Sequence, residues 1–246
     1  MVDSRLHARA LLTPLVLLAA VVAAGILPAP DATAQTIEPP VRTVACDPAT
    51  ATSLYNPDGE EAAACVRRTY RLPATDTVRL RQDRYDEVTV TAWDSAAVQV
   101  ETVVVARRAT ADSAEADLRR IQLRRADGTI AATGPPGNAP GWWSVGYRLR
   151  VPRQTTLAIT SGSAGIAVDG VVGAHTLRSD DGTIRFTLPA GAGARLTATT
   201  DYGTIDVGFP VTTQGAIGER LEAAVGGGGP TVRLASGNDV TIRRAP

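Results

Sequence analysis

The sequence contains no lysine, so all 25 of its cationic side chains are arginine. Its formal charges balance at +0, and this balance implies no polybasic surface for nucleic acid or anionic lipid. Aromatic residues make up only 4% of the chain. The abundant residues are instead small ones, with valine, threonine and isoleucine at alternating positions, and this composition suits thin layers of strands better than a bulky core.

Histidine is almost absent, and this restricts the catalytic chemistry. His7 and His175 are the two histidines, and His7 lies in a segment that we expect to be removed. A Ser-His-acid triad would therefore have to use His175. Ser163 lacks the glycine two residues earlier that a nucleophile elbow requires. We therefore predict that His175 is an exposed strand or turn residue.

The first residues have the features of an export signal. Arg5 and Arg9 precede an apolar stretch over residues 11–27, and Ala32-Thr33-Ala34 offers small residues to a signal peptidase. We predict cleavage before Gln35. A retained membrane anchor is the alternative, but the apolar run is marginal for a span of about 20 residues. No later stretch is long enough to span a bilayer, so the predicted location is the periplasm, the cell surface or the extracellular space.

Cys46 and Cys65 are the only cysteines, and a short polar loop separates them. In an exported chain this pair predicts a disulfide. A metal site would need further ligands, and no histidine lies in that region. Closing the loop would stabilise the fold by on the order of 3 kcal/mol in the chain-entropy model. We expect the bond to hold the N-terminal segment in place.

Apolar and polar residues alternate with a period of two from about Arg67. Val78 and Leu80 alternate with arginines, and Val88 and Val90 alternate with threonines. This pattern predicts half-buried strands.

One helix is predicted to interrupt the strands, over residues 113–120. Thr110 or Asp112 would cap it, and its arginines lie in the last turn. Its apolar face would consist of Ala114, Leu118 and Ile121.

A short phrase then recurs: glycine, a small or polar residue, isoleucine or valine, one more residue, and another apolar residue. It occurs at 182–186 and 203–207, and looser copies occur elsewhere. The steps from Ile166 to Ile184 and on to Ile205 are 18 and 21 residues, close to one coil of a β-solenoid. The predicted fold class is all-β: a β-solenoid or β-helix-like stack of short strands with one short helix.

The predicted organisation has five parts. In order these are a signal peptide (1–34), an N-terminal segment with the disulfide (35–66), N-terminal strands and the short helix (67–133), a Pro/Gly loop (134–141) and the Gly-x-Ile strand-repeat region (142–246).

Three kinds of short motif follow one another in a fixed order. They are Ala92-Trp93-Asp94 at a turn, Val151-Pro152 at a strand end, and the repeats at 181–184 and 202–205. This order resembles the bacterial "putative adhesin" family of exported proteins, a domain family of unknown function, over roughly residues 70 to 244. The resemblance implies a β-helix-like fold and a surface or adhesive role, and it brings no catalytic residues. The chain departs from the pattern at 163–166, which lacks the usual polar-Gly turn, and in its glycine-rich insertion.

Trp142 and Trp143 are candidate binding residues directly after the Pro/Gly loop. Neighbouring residues on a strand face opposite sides, so one ring could be exposed and stack on a sugar. The other interpretation is that one tryptophan caps the core while the other packs beneath the loop.

Four aspartates form the second candidate, which we call the aspartate row: Asp180, Asp181, Asp201 and Asp206. In a solenoid we expect them at equivalent places on successive turns, about 4.8 Å apart. Such carboxylates could bind calcium or act as acid and base on a polysaccharide. Aspartate before glycine is also favoured in turns for purely local reasons.

These patterns predict an exported, non-enzymatic β-repeat protein that is an adhesin-like binding or structural module of the cell envelope. The partners would be a polysaccharide or an envelope protein, without nucleic acid, cofactor, metal or a membrane span after cleavage. The alternative is a carbohydrate-active β-helix enzyme with paired aspartates. Two carboxylates in one cleft at about 5–10 Å would favour the enzyme, and an evenly spaced row would favour binding.

Overall fold

The computed structural model describes residues 35–37, 39–47, 62–73, 75–83, 86–136, 141–213 and 219–246. The predicted signal peptide lies outside these residues, as do most of the loop between the cysteines and part of the Pro/Gly loop. The described residues all belong to one compact unit, Ala32–Pro246.

Short strands dominate the described residues, with one helix among them. The first half contains β1 (Gln35–Thr36), β2 (Arg42–Ala45), β3 (Ala62–Leu72), β4 (Thr77–Gln82), β5 (Val88–Trp93), β6 (Val98–Arg108), α1 (Ala111–Arg120), β7 (Gln122–Ala126), β8 (Thr129–Thr133) and β9 (Trp142–Pro152). The second half contains β10 (Thr156–Ser161), β11 (Ile166–Asp169), β12 (His175–Ser179), β13 (Ile184–Leu188), β14 (Ala194–Thr200), β15 (Ile205–Val207), β16 (Thr212–Thr213), β17 (Arg220–Val225), β18 (Thr231–Ser236) and β19 (Val240–Arg244).

The strands form two mixed sheets. Sheet A has ten strands in the order β1-β7-β8-β4-β10-β12-β18-β14-β17-β16. Sheet B has nine strands in the order β15-β19-β13-β11-β5-β9-β6-β3-β2. The all-β class with one short helix is therefore confirmed.

In the middle of both sheets the chain alternates between them. Five pairs, β4–β5, β10–β11, β12–β13, β14–β15 and β18–β19, place their first strand in sheet A and their second in sheet B, and neighbouring pairs associate in parallel. We call these five pairs the stacked region. In space β18–β19 lies between β12–β13 and β14–β15. The order of the pairs along the chain therefore differs from their order in the sheets.

The recurring Gly-x-Ile phrase supplies a row of inward side chains in sheet B. Ile166 is in register with Val88 and Ile184, and Val240 is in register with both Ile184 and Ile205. All five residues are buried. Burying such a side chain contributes about 1.5–3 kcal/mol, so each copy of the phrase adds one apolar layer to the common core.

Buried hydroxyls connect the turns that lead from sheet A to sheet B. The Ser179 hydroxyl accepts a hydrogen bond from the backbone N–H of Gly182 (2.9 Å) and donates one to the carbonyl of Ala164 in the neighbouring turn (2.8 Å). Ser236 donates to the carbonyl of Gly182 in the same manner (2.6 Å). These bonds hold adjacent turns so close that a Cβ added at Gly182 would lie 2.3 Å from the Ala164 oxygen. Close backbone approach therefore requires this repeat glycine.

The helix agrees closely with its prediction. It spans Ala111–Arg120, and the Thr110 side chain accepts a hydrogen bond from the Ser113 N–H (3.3 Å), which satisfies one free donor of the first turn. Ala114 and Leu118 are buried within it. At its other end the Arg68 guanidinium donates to the carbonyls of Leu118 and Ile121, both at 2.5 Å, so a neighbouring strand satisfies the helix C-terminus.

Long antiparallel strands form the other end of sheet B. β3 and β6 pair over eleven residues, β6 also pairs with β9, and β2 lies at the edge of the sheet. We call β2, β3, β6, β9 and α1 the antiparallel end.

Cys46 and Cys65 form a disulfide there, with Cα atoms 5.1 Å apart, so the predicted bond is confirmed. The buried Arg108 forms an ion pair with the buried Asp117 of the helix.

Two motifs that carry the family resemblance lie side by side. Trp93 is in register with Pro152 where β5 pairs with β9. Arg153 donates a hydrogen bond to Asp94 at 2.8 Å, and this bond lowers the pKa of the Asp94 carboxyl. The two motifs are therefore far apart in sequence but in direct contact in the fold.

The prediction for His175 is wrong. It occupies an inward position on β12, only 2% exposed, in register with Leu157 and Val232. The reason is strand parity: His175 has the same phase as the buried Leu177. Burial lowers the pKa of its imidazole.

Candidate functional site

The two tryptophans lie at the start of β9 and differ in their surroundings. Trp143 is buried, and its Nε1 donates to the carbonyl of Pro135 at 3.0 Å. A Cβ added at Gly134 would lie 2.9 Å from the Trp143 ring, so the Pro/Gly loop sits directly on it. Trp142 is half-buried, and the Arg107 guanidinium lies 5.5 Å from its ring centroid. Neither ring forms an open platform.

Trp143 lines a cleft where β4 and β8 end. The cleft has a volume of about 260 Å³. Its lining consists of Arg81, Gln82, Asp83, Ala132, Thr133, Gly134, Pro135, Pro136 and Trp143. Arg81 and Asp83 form an ion pair of 2.9 Å. The cleft contains Asp83 but no member of the aspartate row.

An exposed aromatic ring lies elsewhere, at a position that sequence reasoning did not select. Tyr202 is 91% exposed in the turn between β14 and β15. Its backbone N–H donates to the carbonyl of Gly237 in the neighbouring turn at 3.0 Å. The backbone of the turn is thus fixed while the ring projects into solvent.

The aspartate row does not stack as expected. Asp180, Asp181 and Asp201 lie exposed in turns, but β12 and β14 both pair with β18 and not with each other. The turn at Gly237 therefore separates the Asp180 turn from the Asp201 turn, and the spacing is two strand separations, about 9.6 Å. The expected 4.8 Å contact between successive turns is wrong because the sequence order of the strand pairs is not their spatial order.

Asp206 is separate from the three turn aspartates. It lies on β15, opposite Thr241 of β19. The Arg243 guanidinium donates to its carboxylate at 2.5 Å, and this hydrogen bond lowers the pKa of Asp206. Asp180 has a similar partner in Arg178 at 2.7 Å. Two members of the row thus form ion pairs with arginines.

Metal ligands do not converge in the part of the chain that the structure describes. No group of three or more His, Cys, Asp or Glu residues there could hold a metal ion. No described helix is long and apolar enough to cross a membrane.

The outer surface of sheet A shows a distribution of charge that the total of +0 conceals. On the five strands that it contributes to the stacked region, β4, β10, β12, β18 and β14, every outward residue is arginine, threonine or alanine. The arginines are Arg79, Arg81, Arg178, Arg195 and Arg233; the threonines are Thr77, Thr156, Thr160, Thr176, Thr197, Thr199 and Thr231; the alanines are Ala158 and Ala235. We call this surface the arginine–threonine face.

The corresponding strands of sheet B have balanced charges. Their outward residues include Arg185 and Arg243, but also Asp169 and Asp206. Arg185 is paired with Glu87 at 3.4 Å and Arg243 with Asp206. The outer face of sheet A therefore has an excess of positive charge, whereas arginines and acidic residues are paired on the outer face of sheet B.

No family model and no curated protein matches this sequence. Among solved structures, a "putative cell adhesion protein" from Clostridium sporogenes is similar, with a TM-score of 0.45 and 8% identity over 73% of this chain and 99% of that one. A "putative adhesin" from Bacteroides fragilis gives a TM-score of 0.24 and 9% identity, covering 74% and 97%. A "putative lipid binding protein" from Parabacteroides distasonis gives 0.22 and 8%, covering 77% and 98%.

Proposed function

We propose that this protein is an exported, non-enzymatic binding module of the cell envelope, with an adhesin-like role. The observation that carries the proposal is the stacked region, in which five strand pairs repeat in parallel. We interpret this region as a short β-solenoid. Solenoid stacking creates extended surfaces on which side chains recur at regular intervals, and such surfaces suit extended partners.

The disulfide supports export. Disulfides form and persist mainly in oxidising compartments, and Cys46–Cys65 is formed in the structure. We propose that residues 1–34 are removed and that the remaining chain has the predicted parts, 35–66, 67–133, 134–141 and 142–246. Its partner would be a polysaccharide or an envelope protein. The final location would be the periplasm, the cell surface or the extracellular space.

The state of the aspartates favours binding over catalysis. A general acid needs a pKa near the working pH, whereas Arg243 lowers the pKa of Asp206. Asp180 is also paired with an arginine. We therefore propose Trp142, Trp143, Asp180, Asp181, Asp201 and Asp206 as binding or structural residues rather than as catalytic ones.

Protease shaving of intact cells tests the proposal. Trypsin suits this chain because its cleavage sites are arginines, while amine-reactive labels would find no lysine. Cells are treated with trypsin, and the chain is then detected by immunoblot beside a cytoplasmic marker. Lysed cells treated in parallel show whether the folded chain can be cut at all. We expect cleavage on intact cells. Protection until the outer layer is breached would refute the adhesin-like role and direct the search to partners inside the envelope.

A further inference from the structure

The arginines of the arginine–threonine face differ in whether they have an anionic partner. Arg81 and Arg178 pair with the turn residues Asp83 and Asp180. Arg79, Arg195 and Arg233 are exposed and form no ion pair with a described residue. Three guanidinium groups on one side of the molecule therefore have all their charge available for an external anion.

We propose that the arginine–threonine face binds an acidic polysaccharide, a linear chain of carboxylated or sulfated sugars. The inference rests on the proposed function, because it names the surface and the ligand class of the same exported binding module. Guanidinium groups bind carboxylates and sulfate-like oxyanions through paired, charge-assisted hydrogen bonds. Threonine hydroxyls both donate and accept, which matches the hydroxyl groups of the sugars between the anions.

The spacing of the arginines suits an extended ligand. Arg79 and Arg81 are two residues apart on β4, about 6.6 Å along the strand. Arg79 and Arg233 share one register row across β4, β10, β12 and β18, which places them about 14 Å apart. A compact anion at one of these residues leaves the other, three strands away, without a partner. A polymer that carries an anion on each sugar or on alternate sugars could contact them together.

The composition of the face argues against two other polyanions. Peripheral membrane binding relies on large apolar side chains that enter the headgroup region, and no such side chain is present at these outward positions. Single-stranded nucleic acid is bound by stacking its bases on aromatic rings, and the same positions carry no aromatic residue. A surface of arginine and threonine side chains instead fits an acidic polysaccharide, which carries both anionic groups and hydroxyl groups.

The test measures binding of the full chain, exported with its own leader, to immobilised polygalacturonate, dextran sulfate and neutral dextran. We expect binding to both acidic polymers, little binding to neutral dextran, and loss of binding at about 1 M salt, where the Debye length is about 3 Å. The face variant combines Arg79→Gln, Arg195→Gln and Arg233→Gln. We expect its affinity for the acidic polymers to fall at least about tenfold, which corresponds to about 1.4 kcal/mol.

A matched control removes the same charge from sheet B. It combines Arg42→Gln, Arg71→Gln and Arg150→Gln, three exposed arginines that also form no ion pair with a described residue. We expect its affinity to change by less than about twofold, well inside the tenfold that separates the variants. Thermal unfolding of each variant confirms that the fold is retained.

Several results would overturn the inference. Equal losses in the two variants would show that affinity follows total charge and not the face. Tighter binding to phosphatidylglycerol vesicles or to duplex DNA than to either acidic polymer would assign the face to another partner. Failure to bind any acidic polymer, with trypsin still cutting the chain on intact cells, would refute the inference and leave the proposed function intact. Protection from trypsin on intact cells would instead count against the adhesin-like role in the proposed function.

Discussion

The antiparallel end and the stacked region are stabilised by different kinds of contact. The antiparallel end relies on a few strong, individual contacts, such as the Arg108–Asp117 ion pair and the Cys46–Cys65 disulfide. The stacked region relies on smaller repeated ones, in which the Ser179 and Ser236 hydroxyls each join their own turn to a neighbouring turn. A single lost partner should therefore have its greatest effect in the first region, and a single added atom in the second.

The largest effect is expected for Arg108→Gln. This change would leave Asp117 as a buried carboxylate without its buried partner, and breaking such a pair typically costs about 3–5 kcal/mol. We expect the free energy of unfolding, measured by urea denaturation, to fall by about that amount.

Arg120→Gln is the matched control. Arg120 also contacts Asp117, at 3.5 Å, but its side chain is 64% exposed. Exposed ion pairs contribute about 0–1 kcal/mol, so the control should unfold almost like the wild type. Similar losses in both variants would mean that burial does not distinguish the two contacts.

A smaller effect is expected from one added methyl group in the stacked region. Gly182→Ala would force the new Cβ against the carbonyl of Ala164, and overpacking of this kind costs about 1–3 kcal/mol. Gly165→Ala adds the same group in the neighbouring turn, where the nearest atom would lie 3.5 Å away. We expect urea denaturation to show a loss only for Gly182→Ala. A loss of equal size at Gly165 would show that backbone freedom, rather than close approach, explains the repeat glycines.

The smallest effect concerns pH, because the stacked region buries His175 and no described acidic side chain forms an ion pair with it. The centroid of its ring lies 5.4 Å from that of the Phe186 ring, in an edge-on arrangement. Burial lowers the pKa of the imidazole below the ordinary value of 6.5. As the pH falls below about 6.5, the unfolded chain takes up a proton that the folded chain does not. The free energy of unfolding should then fall by up to about 1.4 kcal/mol per pH unit until the folded pKa is reached.

The His175→Leu variant isolates this contribution. Its free energy of unfolding should lack the part of the decline below about pH 6.5 that protonation of His175 causes. Titration of carboxyls such as Asp86, whose pKa is raised chiefly by burial, cancels in the difference between the two proteins. Parallel curves for wild type and variant would contradict the assignment to His175.

Local patterns predicted the elements well, because each depends on neighbours in sequence. The alternation around Val78 and Val88 predicted β4 and β5, and Thr110 predicted the start of α1. The cysteine pair predicted the disulfide. The alternation of residues also predicts the inward position of His175, since the buried Leu177 lies two residues away. The wrong prediction came from motif reasoning about a catalytic triad, which says nothing about the face of the strand on which His175 lies.

Pairing between distant strands could not be predicted in the same way. The repeats at 181–184 and 202–205 are so alike that neither specifies its neighbour, and the sequence order suggested that their turns are adjacent. Backbone pairing instead places Gly237 between them. The arginine–threonine face was missed for a related reason. Arg79 and Arg233 each alternate with apolar residues, but only the register across four strands shows that they share one face.

The position of β18–β19 between two earlier pairs determines the order in which the chain can fold. β14 pairs in parallel only with β18, and Leu196 is 36 residues away from its register partner Val232. Non-local pairing of this kind slows folding, because a long loop must close before its contacts form. We therefore expect β14–β15 to remain undocked until β18–β19 has been synthesised. The stacked region would then close from its interior, in a single late step, rather than grow one strand pair at a time.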